Sequence, residues 1–425
     1  MRILTLWLLC ISGLQAETYT YTLRQAVDLA LRQNPDLVLA RMEEQKAAQA
    51  VRLAKDPFYP KLVAGSGAAY SSGYPLTIDG SPPAIVQTKA VQSFFNRPKS
   101  YQIAEAKENA RTSAIDFSIK RDDVAFRTAG TYLDLERITQ VAEIAARQIK
   151  DFVQIQQSMA ARVSEGRELE IENDRAALNV AKARQRSRSL DLGKNYLERS
   201  MAIVLGYGPD DIVKIGSGER TVPQLPESEQ AAVELALENS KELRRLESVL
   251  ASRGLEVKAQ KSAWMPQIDL VAQYALLTRY NFSEDFFRRF NRHAGQVGIS
   301  VTVPLLNGTG ASAQAAQAEI ESSRLRAEIV IARGRISLEA RRSFEELRNV
   351  EDAEQVARMD LDVSRKQVSI TLTQFQEGRA AMRDLAAART IENEKWSAFY
   401  EAQSSRERAR LNVLKQTGSV LSALR

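Results

Sequence analysis

The sequence predicts a mixed membrane protein in which short β-hairpins alternate with very long α-helical hairpins. Three observations predict it: a duplication of about 200 residues, paired strand-like segments that follow prolines, and two long proline-free stretches with helical periodicity. Four strands per chain are too few to close a barrel, since the smallest transmembrane barrels have about eight. If the strands span a membrane, several chains must share one barrel, and three chains would supply about twelve strands.

The duplication is visible as a motif that occurs twice. Ala26–Leu31 recurs as Ala232–Leu237 at an offset of 206 positions, and Gly166 matches Gly378 at an offset of 212. Two copies this long differ from a solenoid, whose repeats have about 20–50 residues. We therefore predict two structural repeats, each with a β-hairpin followed by a helical hairpin. The first repeat covers 17–226, with hairpins at about 61–95 and 99–205, and the second covers 227–425, with hairpins at about 267–305 and 312–417.

Each repeat is predicted to begin with two helices. The first helix is short, and the second ends at prolines, which cannot continue a helix. The predicted pairs are Leu23–Gln33 with Asp36–Asp56, and Glu229–Asn239 with Lys241–Ala263.

The clearest predicted strand is Gln296–Leu305, in which apolar residues alternate with small or polar ones. Its partner is Gln267–Leu276, and the first repeat has weaker strands at Lys61–Tyr74 and Ala84–Phe95. A half-buried strand of a soluble protein gives the same pattern as a transmembrane barrel strand of about ten residues. The loops between the strands are rich in aromatic residues or proline, which favours the membrane alternative because aromatics flank barrel strands. We expect His293 on the surface of the second loop.

Two proline-free stretches, from Pro98 to Pro209 and after Pro304, predict the long helices. Each descending arm has about 65 residues, or roughly 100 Å at ~1.5 Å per residue. Glycine permits the left-handed turn that ends a helix, so Gly166 and Gly378 are the predicted tips of the two hairpins. Periodicity reports packing rather than function, so the helices alone are also compatible with a plain antiparallel coiled coil that has no channel.

Composition and charge weigh against several classes of protein. The chain has 425 residues and a formal net charge of +6, with acidic and basic residues interspersed, so no nucleic acid partner is expected. It has one histidine and one cysteine, whereas nucleophile–base pairs and zinc sites need several such residues. We therefore expect no enzyme activity, no metal site and no cofactor.

Residues 1–16 have the pattern of a secretory signal peptide: a charged Arg2, a short apolar core and an exit of small residues. Cleavage after Ala16 would make Glu17 the first mature residue and would remove Cys10. No later stretch reaches ~18 uninterrupted apolar residues, the length that a transmembrane helix needs. A membrane role would then fall to the strands.

Several short motifs occur in one order and at matched spacing in the two repeats. They are the segment Leu23–Pro35, the pairs Tyr59-Pro60 and Met265-Pro266 before strands, the strand exits Ser93–Asn96 and Val303–Asn307, and Phe375–Gly378 at the second tip. On these residues the chain resembles the TolC-type outer-membrane efflux proteins along essentially its whole mature length.

This resemblance implies a homotrimer in the outer membrane of a Gram-negative bacterium. Four strands from each chain would form one barrel of about twelve β-strands among the outer-membrane lipids, continued by a long α-helical coiled-coil barrel in the periplasm. The resemblance also implies a passive exit duct of a tripartite efflux or type I secretion system, docked on a periplasmic adaptor protein and an inner-membrane pump or secretion ATPase. The alternative function is a secreted coiled-coil structural or interaction protein, such as an adaptor or adhesin, without a channel.

The resemblance further implies a gate at the periplasmic tips of the hairpins. Glu172 and Asp384 each lie six residues after a tip glycine, where the family has an acidic ring around the pore. Rings of carboxylates attract cations and repel anions. The family's second acid falls on Ala387 here and is missing. The alternative for Glu172 and Asp384 is a solvated helix face, since acids are common on long helices.

The latch residues of the family are only partly matched. Its arginine position, two residues after the second tip glycine, is Ala380 here, so Arg379 and Arg383 are the candidates to replace it. Phe375 stands where the family has a tyrosine, so the hydroxyl contact of that tyrosine is lost.

Overall fold

The computed structural model describes residues 17–67, 84–216, 218, 224–277, 291, 293–305 and 309–424. The predicted signal peptide lies outside the described residues. So do most of the two loops between the paired strands and the part of the first predicted strand beyond Gly67.

Both repeats contain two helices, a β-hairpin and a long helical hairpin, in that order. The first repeat also has short strands at its beginning and end. Its elements are β1 (Thr18–Tyr21), α1 (Leu23–Gln33), α2 (Pro35–Lys55), a 3-10 turn (Asp56–Phe58), β2 (Lys61–Gly67), β3 (Ala84–Phe95), α3 (Arg97–Ser164), α4 (Glu170–Leu205) and β4 (Ile212–Ile215). The second has α5 (Glu229–Asn239), α6 (Lys241–Lys261), β5 (Gln267–Leu277), β6 (His293–Thr302), α7 (Gly310–Gln376), α8 (Met382–Gln416) and α9 (Val420–Leu424).

Local capping explains where the short helices begin. Thr22 Oγ1 accepts a hydrogen bond from the Gln25 amide at 3.4 Å, and the Thr22 amide donates to Gln25 Oε1 at 3.0 Å, which is a capping box. In the second repeat Ser228 Oγ accepts from the Ala231 amide at 3.1 Å. Thr22 and Ser228 occupy matched positions, so the two copies start their first helix in the same way.

The strands β2, β3, β5 and β6 form one antiparallel sheet in that order. The pairing of β3 with β5 joins the two hairpins, with Lys89 opposite Gln273. In the part of the chain that the structure describes, β2 and β6 have a strand on one side only. The sheet of a single chain therefore has two open edges.

The two faces of this sheet differ in chemistry. Side chains alternate along a strand, so the pairing register assigns each residue to a face. One face is mainly apolar and contains Leu62, Val86, Leu270, Tyr274, Val297, Ile299 and Val301; the other is mainly polar and contains Lys61, Gln87, Lys89, Asp269, Gln273, Gln296 and Ser300. Val297 and Ile299 are 79% and 71% exposed, so the described residues leave the apolar face largely uncovered.

The predicted bounds of the last strand are wrong by three residues at each end. β6 runs from His293 to Thr302 rather than from Gln296 to Leu305. Its partner begins at Gln267, directly after Pro266, so the hydrogen-bonded ladder ends at the Gln267–Thr302 pair although the apolar alternation continues. His293 therefore belongs to the strand and not to a loop, and its Nδ1 lies 2.6 Å from the Tyr274 hydroxyl.

The chain folds into two compact units, and each takes segments from both repeats. The first unit comprises the chain up to Ala40, Ser118–Lys241 and Arg333 onward, and the second comprises Arg41–Phe117 and Glu242–Ala332. In the first unit, α1, α3, α8 and α9 share a buried apolar cluster made of Val27, Ala125, Ala129, Leu133, Leu411, Leu414 and Val420. None of the described helices combines the length and the apolar character needed to cross a membrane.

In the second unit, polar side chains join α3 to α6. Thr112 Oγ1 lies 2.9 Å from Ser248 Oγ, and Ser252 Oγ donates to Asn109 Oδ1 at 2.7 Å. Ser248 and Ser252 are both buried. Buried hydroxyls are costly without partners, so these hydrogen bonds fix how the two helices face each other.

Candidate functional site

The tips of the two helical hairpins are built in the same way. Gly166 has a φ of 69° and Gly378 a φ of 74°, both in the left-handed region predicted for a helix end. The Arg167 amide donates to the Arg162 carbonyl at 2.9 Å, and the Arg379 amide donates to the Gln374 carbonyl at 2.8 Å. These bonds satisfy the last carbonyl groups of the descending helices α3 and α7.

The two tips pack against each other through a small apolar cluster. Met159 and Ala176 come from the first hairpin, and Met382 and Leu385 from the second, and all four are buried. Leu372 and Phe375 are partly buried against them. Apolar contact therefore holds the two hairpins side by side at their tips.

Phe375 also contacts a cation of the other tip. The guanidinium carbon of Arg162 lies 4.9 Å from the centre of the Phe375 ring, a distance typical of a cation–π interaction. Arg162 Nη1 is 3.7 Å from Glu168 Oε1, which lies on the far side of the first tip turn. The family's tyrosine hydroxyl is absent here, and an arginine on the ring face joins the hairpins instead.

Glu172 lies at the third position of α4, close to the helix N-terminus. Its side chain is only 15% exposed, and its Oε1 lies 2.5 Å from Arg175 Nη1 one turn further on. Glu172 and Arg175 line a cavity of about 410 Å³ between the two hairpins, together with Arg383 and Glu394. The positive end of the helix dipole favours a carboxylate at this position.

Asp384 occupies the matching third position of α8. Its Oδ2 accepts a hydrogen bond from the Ala381 amide at 3.0 Å, so it caps the helix from inside the first turn. Its side chain is 52% exposed, and Arg383 Nε lies 3.5 Å from its Oδ1. Asp384 is thus a helix cap with a carboxylate that solvent can still reach.

Arg379 pairs within its own turn. Its Nη1 lies 3.1 Å from Glu377 Oε2, across the second tip glycine. The first tip has the same pair, with Arg167 Nη1 at 3.2 Å from Glu165 Oε2. Arg379 is therefore part of a repeated turn rather than a contact between the two hairpins.

The structure brings some of the predicted gate residues together and leaves others apart. Glu172 and Arg383 line one cavity, and Phe375 reaches the first tip through Arg162. Asp384 and Arg379 instead face solvent with partners from their own turns. Arg162 was not predicted as a site residue, because a cation near a tip glycine does not show in the sequence which aromatic ring of the other hairpin it contacts.

Residues 232–419 match the family model described as "Outer membrane efflux protein". The chain is 20% identical to the outer membrane efflux protein BepC of Brucella suis over 318 residues. The aligned region covers 74% of this chain and 67% of BepC. The chain is thus similar to outer-membrane efflux proteins, through the family model in its second repeat and through BepC over most of its length. This is the TolC-type resemblance that the motifs predicted.

Solved structures share the fold along nearly the whole chain. The outer membrane protein VceC of Vibrio cholerae matches with a TM-score of 0.76 at 16% identity, over 93% of this chain and 96% of that one. CusC matches with a TM-score of 0.77 at 14% identity, over 95% and 94%. The fold of this efflux protein is therefore that of the family.

These matches confirm three predictions. The protein lies in the outer membrane of a Gram-negative bacterium, with its helical part in the periplasm. It serves efflux and is not an enzyme, because the matched family model and BepC are both outer-membrane efflux proteins. The alternative of a secreted coiled-coil protein without a channel is thereby set aside.

Proposed function

We propose that this efflux protein is the exit duct of a tripartite efflux or type I secretion system and works as a homotrimer. The observation that carries the proposal is the sheet of a single chain, which has two open edges and one exposed apolar face. An open edge leaves unpaired main-chain groups, which is unfavourable in a lipid bilayer. Edges of neighbouring chains would pair with each other and remove this cost.

Three copies of the sheet would close one barrel of about twelve strands, more than the roughly eight that the smallest barrels need. The apolar face, with Val297 and Ile299, would then meet lipid, and the polar face, with Lys89 and Gln273, would line the lumen. This assignment agrees with the alternation that transmembrane barrel strands require. It places the outer-membrane lipids against the residues that the single chain leaves exposed.

Two apolar stripes on the helices of the first unit support the homotrimer. On α4, Ile171, Leu178, Leu192, Tyr196 and Ile203 are each at least half exposed and lie opposite the buried side of the helix. On α7, a second stripe is formed by Val356, Met359, Val363 and Ile370, with exposures of 65%, 62%, 64% and 52%. Spacings of three, four and seven residues keep each stripe on one helix face. A second copy of the chain, packed as in a coiled coil, would cover both stripes.

We propose a gate at the tips, formed by Glu172 and Asp384 from the three chains. Both are the third residue of an ascending helix, so the two repeats would place their carboxylates at matching levels. Asp384 is the more exposed of the two and would face the pore. Glu172, paired with Arg175, would contribute through the cavity between the hairpins. Arg383, which touches both the cavity and Asp384, is the candidate latch residue.

A passive duct does not itself drive export, so another component of the system must supply the energy. We propose that a periplasmic adaptor protein and an inner-membrane pump or secretion ATPase supply it, and that the cargo passes without chemical change. Drugs, metals and proteins are the candidate classes of cargo.

Purification from isolated outer membranes tests the proposed assembly. We expect the protein to be extracted only with detergent and to have a mass about three times that of one chain by light scattering. A monomer that stays in solution without detergent would contradict the proposal.

A further inference from the structure

The main-chain carbonyl, the main-chain nitrogen and the carboxylate of Glu17 each make a hydrogen bond. Its carbonyl oxygen accepts from the Ile212 amide at 3.0 Å, and its carboxylate accepts a hydrogen bond from the Tyr19 hydroxyl. Its main-chain nitrogen lies 3.3 Å from Asp211 Oδ1. The predicted first residue of the mature chain is thus fixed to the segment that leads into β4.

Asp211 is oriented by its own turn. Its Oδ2 accepts from the Gly208 amide at 2.9 Å, and its amide donates to the Gly208 carbonyl at 3.3 Å. The parallel pairing of β1 with β4, which starts at Thr18 and Ile212, brings Glu17 beside this carboxylate. The turn therefore fixes the Asp211 carboxylate independently of Glu17.

Three tyrosines support the same corner. The rings of Tyr19 and Tyr207 stack at 4.4 Å, and the hydroxyls of Tyr21 and Tyr207 lie 2.5 Å apart. The hydrogen bond to Glu17 raises the pKa of Tyr19 to about 12, so Tyr19 keeps the proton that it donates. The side chain of Glu17 is thereby anchored while its nitrogen points to Asp211.

We propose that Asp211 is the binding site for the mature amino terminus and that signal-peptide cleavage after Ala16 creates the group it binds. Water adds across the Ala16–Glu17 peptide bond: Ala16 leaves as a carboxylate with the signal, and the Glu17 nitrogen becomes an amine. This amine takes up a proton and is an ammonium group at neutral pH. The Asp211 carboxylate, which meets a neutral amide in the precursor, then pairs with a positive charge.

Processing therefore strengthens the β1–β4 pair. The hydrogen bond of the precursor has one charged partner, the Asp211 carboxylate, and cleavage adds the Coulomb attraction of a second. The site is half-buried at most, so solvent screens the attraction between the two charges. The added stability is therefore small and is confined to the β1–β4 pair. The inference concerns the maturation of the chain and does not depend on the channel.

Amide hydrogen exchange of the purified mature protein tests this, after mass spectrometry of its amino terminus. We compare four proteins: the wild type, Asp211→Asn, a chain with one extra alanine before Glu17, and the combination. The extra alanine keeps the N–H donor but moves the charge away. The amides of Ile212 and Gly216 donate to the carbonyls of Glu17 and Tyr21. We expect Asp211→Asn and the extension each to raise exchange at these two amides roughly threefold, and the combination to add little further.

Asp210→Asn is the matched control, because Asp210 is the neighbouring exposed acid. It should leave exchange at both amides unchanged. If Asp211→Asn raises exchange equally in the extended and the unextended chain, Asp211 only stabilises its own turn and accepts a hydrogen bond from a neutral amide. That result overturns the proposal. A mature chain that begins at any residue other than Glu17 overturns it as well.

Discussion

At the scale of single residues, the turns after α4 and α8 are the most demanding points of the fold. Gly206 has a φ of 88°, and a Cβ added there would lie 2.7 Å from the Gln33 carbonyl oxygen. Its counterpart Gly418, with a φ of 73°, meets Asn239, which matches Gln33 in the second repeat. Each repeat thus closes its long hairpin against the end of its own first helix.

We predict that Gly206→Ala lowers the free energy of unfolding by about 2 kcal/mol or more, since left-handed strain adds to the clash. Gly166→Ala is the control: its φ is 69°, but a Cβ there meets no atom within 4 Å, so about 1 kcal/mol is expected. Thermal unfolding of both variants measures the difference. Equal losses would show that the approach of Gln33 is unimportant.

The contact between Arg162 and Phe375 gives a second prediction. An exposed cation–π pair contributes about 0.5–1 kcal/mol, so Arg162→Gln should make the tips more sensitive to limited proteolysis, and Phe375→Leu should add little to it. Arg167→Gln, which removes only a pair within the first turn, is the control. Additive effects of Arg162→Gln and Phe375→Leu in a double-mutant cycle would show that the two side chains do not interact.

The ion pairs of Asp36 predict how the stability of the protein depends on pH. A hydrogen bond from Arg127 at 2.7 Å holds the pKa of Asp36 below its ordinary value, with Lys120 adding to the effect against the cost of desolvation. The folded pKa is depressed, so the pairing stabilises the protein above the unfolded value of about 3.9 and is lost as pH falls through the folded value. Asp36→Asn should lower the melting temperature more near pH 6 than near pH 3. A constant difference across this range would contradict the assignment.

At the scale of elements, prolines and glycines made the helices predictable. The hairpin predicted at about 99–205 is observed as α3 and α4, from Arg97 to Leu205, and the one predicted at about 312–417 as α7 and α8, from Gly310 to Gln416. β6 was misplaced because alternation continues past the end of its partner. The parallel pair of β1 and β4 was missed, since four residues per strand are too few for a periodicity to appear and 190 residues separate Tyr21 from Ile212 in the chain.

The candidate site was less predictable than the fold. The positions of Glu172 and Asp384 after the tip glycines follow from the duplication, but their different surroundings do not. Glu172 is largely buried, lines the cavity between the hairpins and pairs with Arg175, whereas Asp384 caps its own helix. Which helix faces meet is a property of tertiary packing, and periodicity within one helix does not reveal it.

The apolar stripe of α7 gives a prediction at this scale. Val363→Asp places a charge in the middle of the proposed contact between copies and should shift the protein from trimer to monomer in detergent, measured by light scattering. Arg358→Asp, at an exposed position of α7 outside the stripe, should leave the trimer intact. A trimer that survives Val363→Asp would mean that this stripe is not the contact.

At the scale of the whole molecule, the duplication would give the assembly its symmetry. Three chains with two similar repeats would place six similar helical hairpins around one axis, and the two kinds of tip would alternate. The sheet, with its open edges, and the helices, with their uncovered stripes, both leave surfaces that a second copy would cover. In the proposed trimer, the sheet edges and the helix stripes of each chain would be covered, and function would arise only in that assembly.

Single-channel recording in planar bilayers tests the central claim most directly. We predict that the purified protein forms a channel of small, cation-selective conductance, because the proposed gate would ring its narrowest point with carboxylates. The double variant Glu172→Ala with Asp384→Ala should conduct more and select less for cations. If the wild type conducts and the double variant conducts in the same way, Glu172 and Asp384 do not form the gate. If a detergent-purified trimer forms no channel, the proposal of a duct is contradicted.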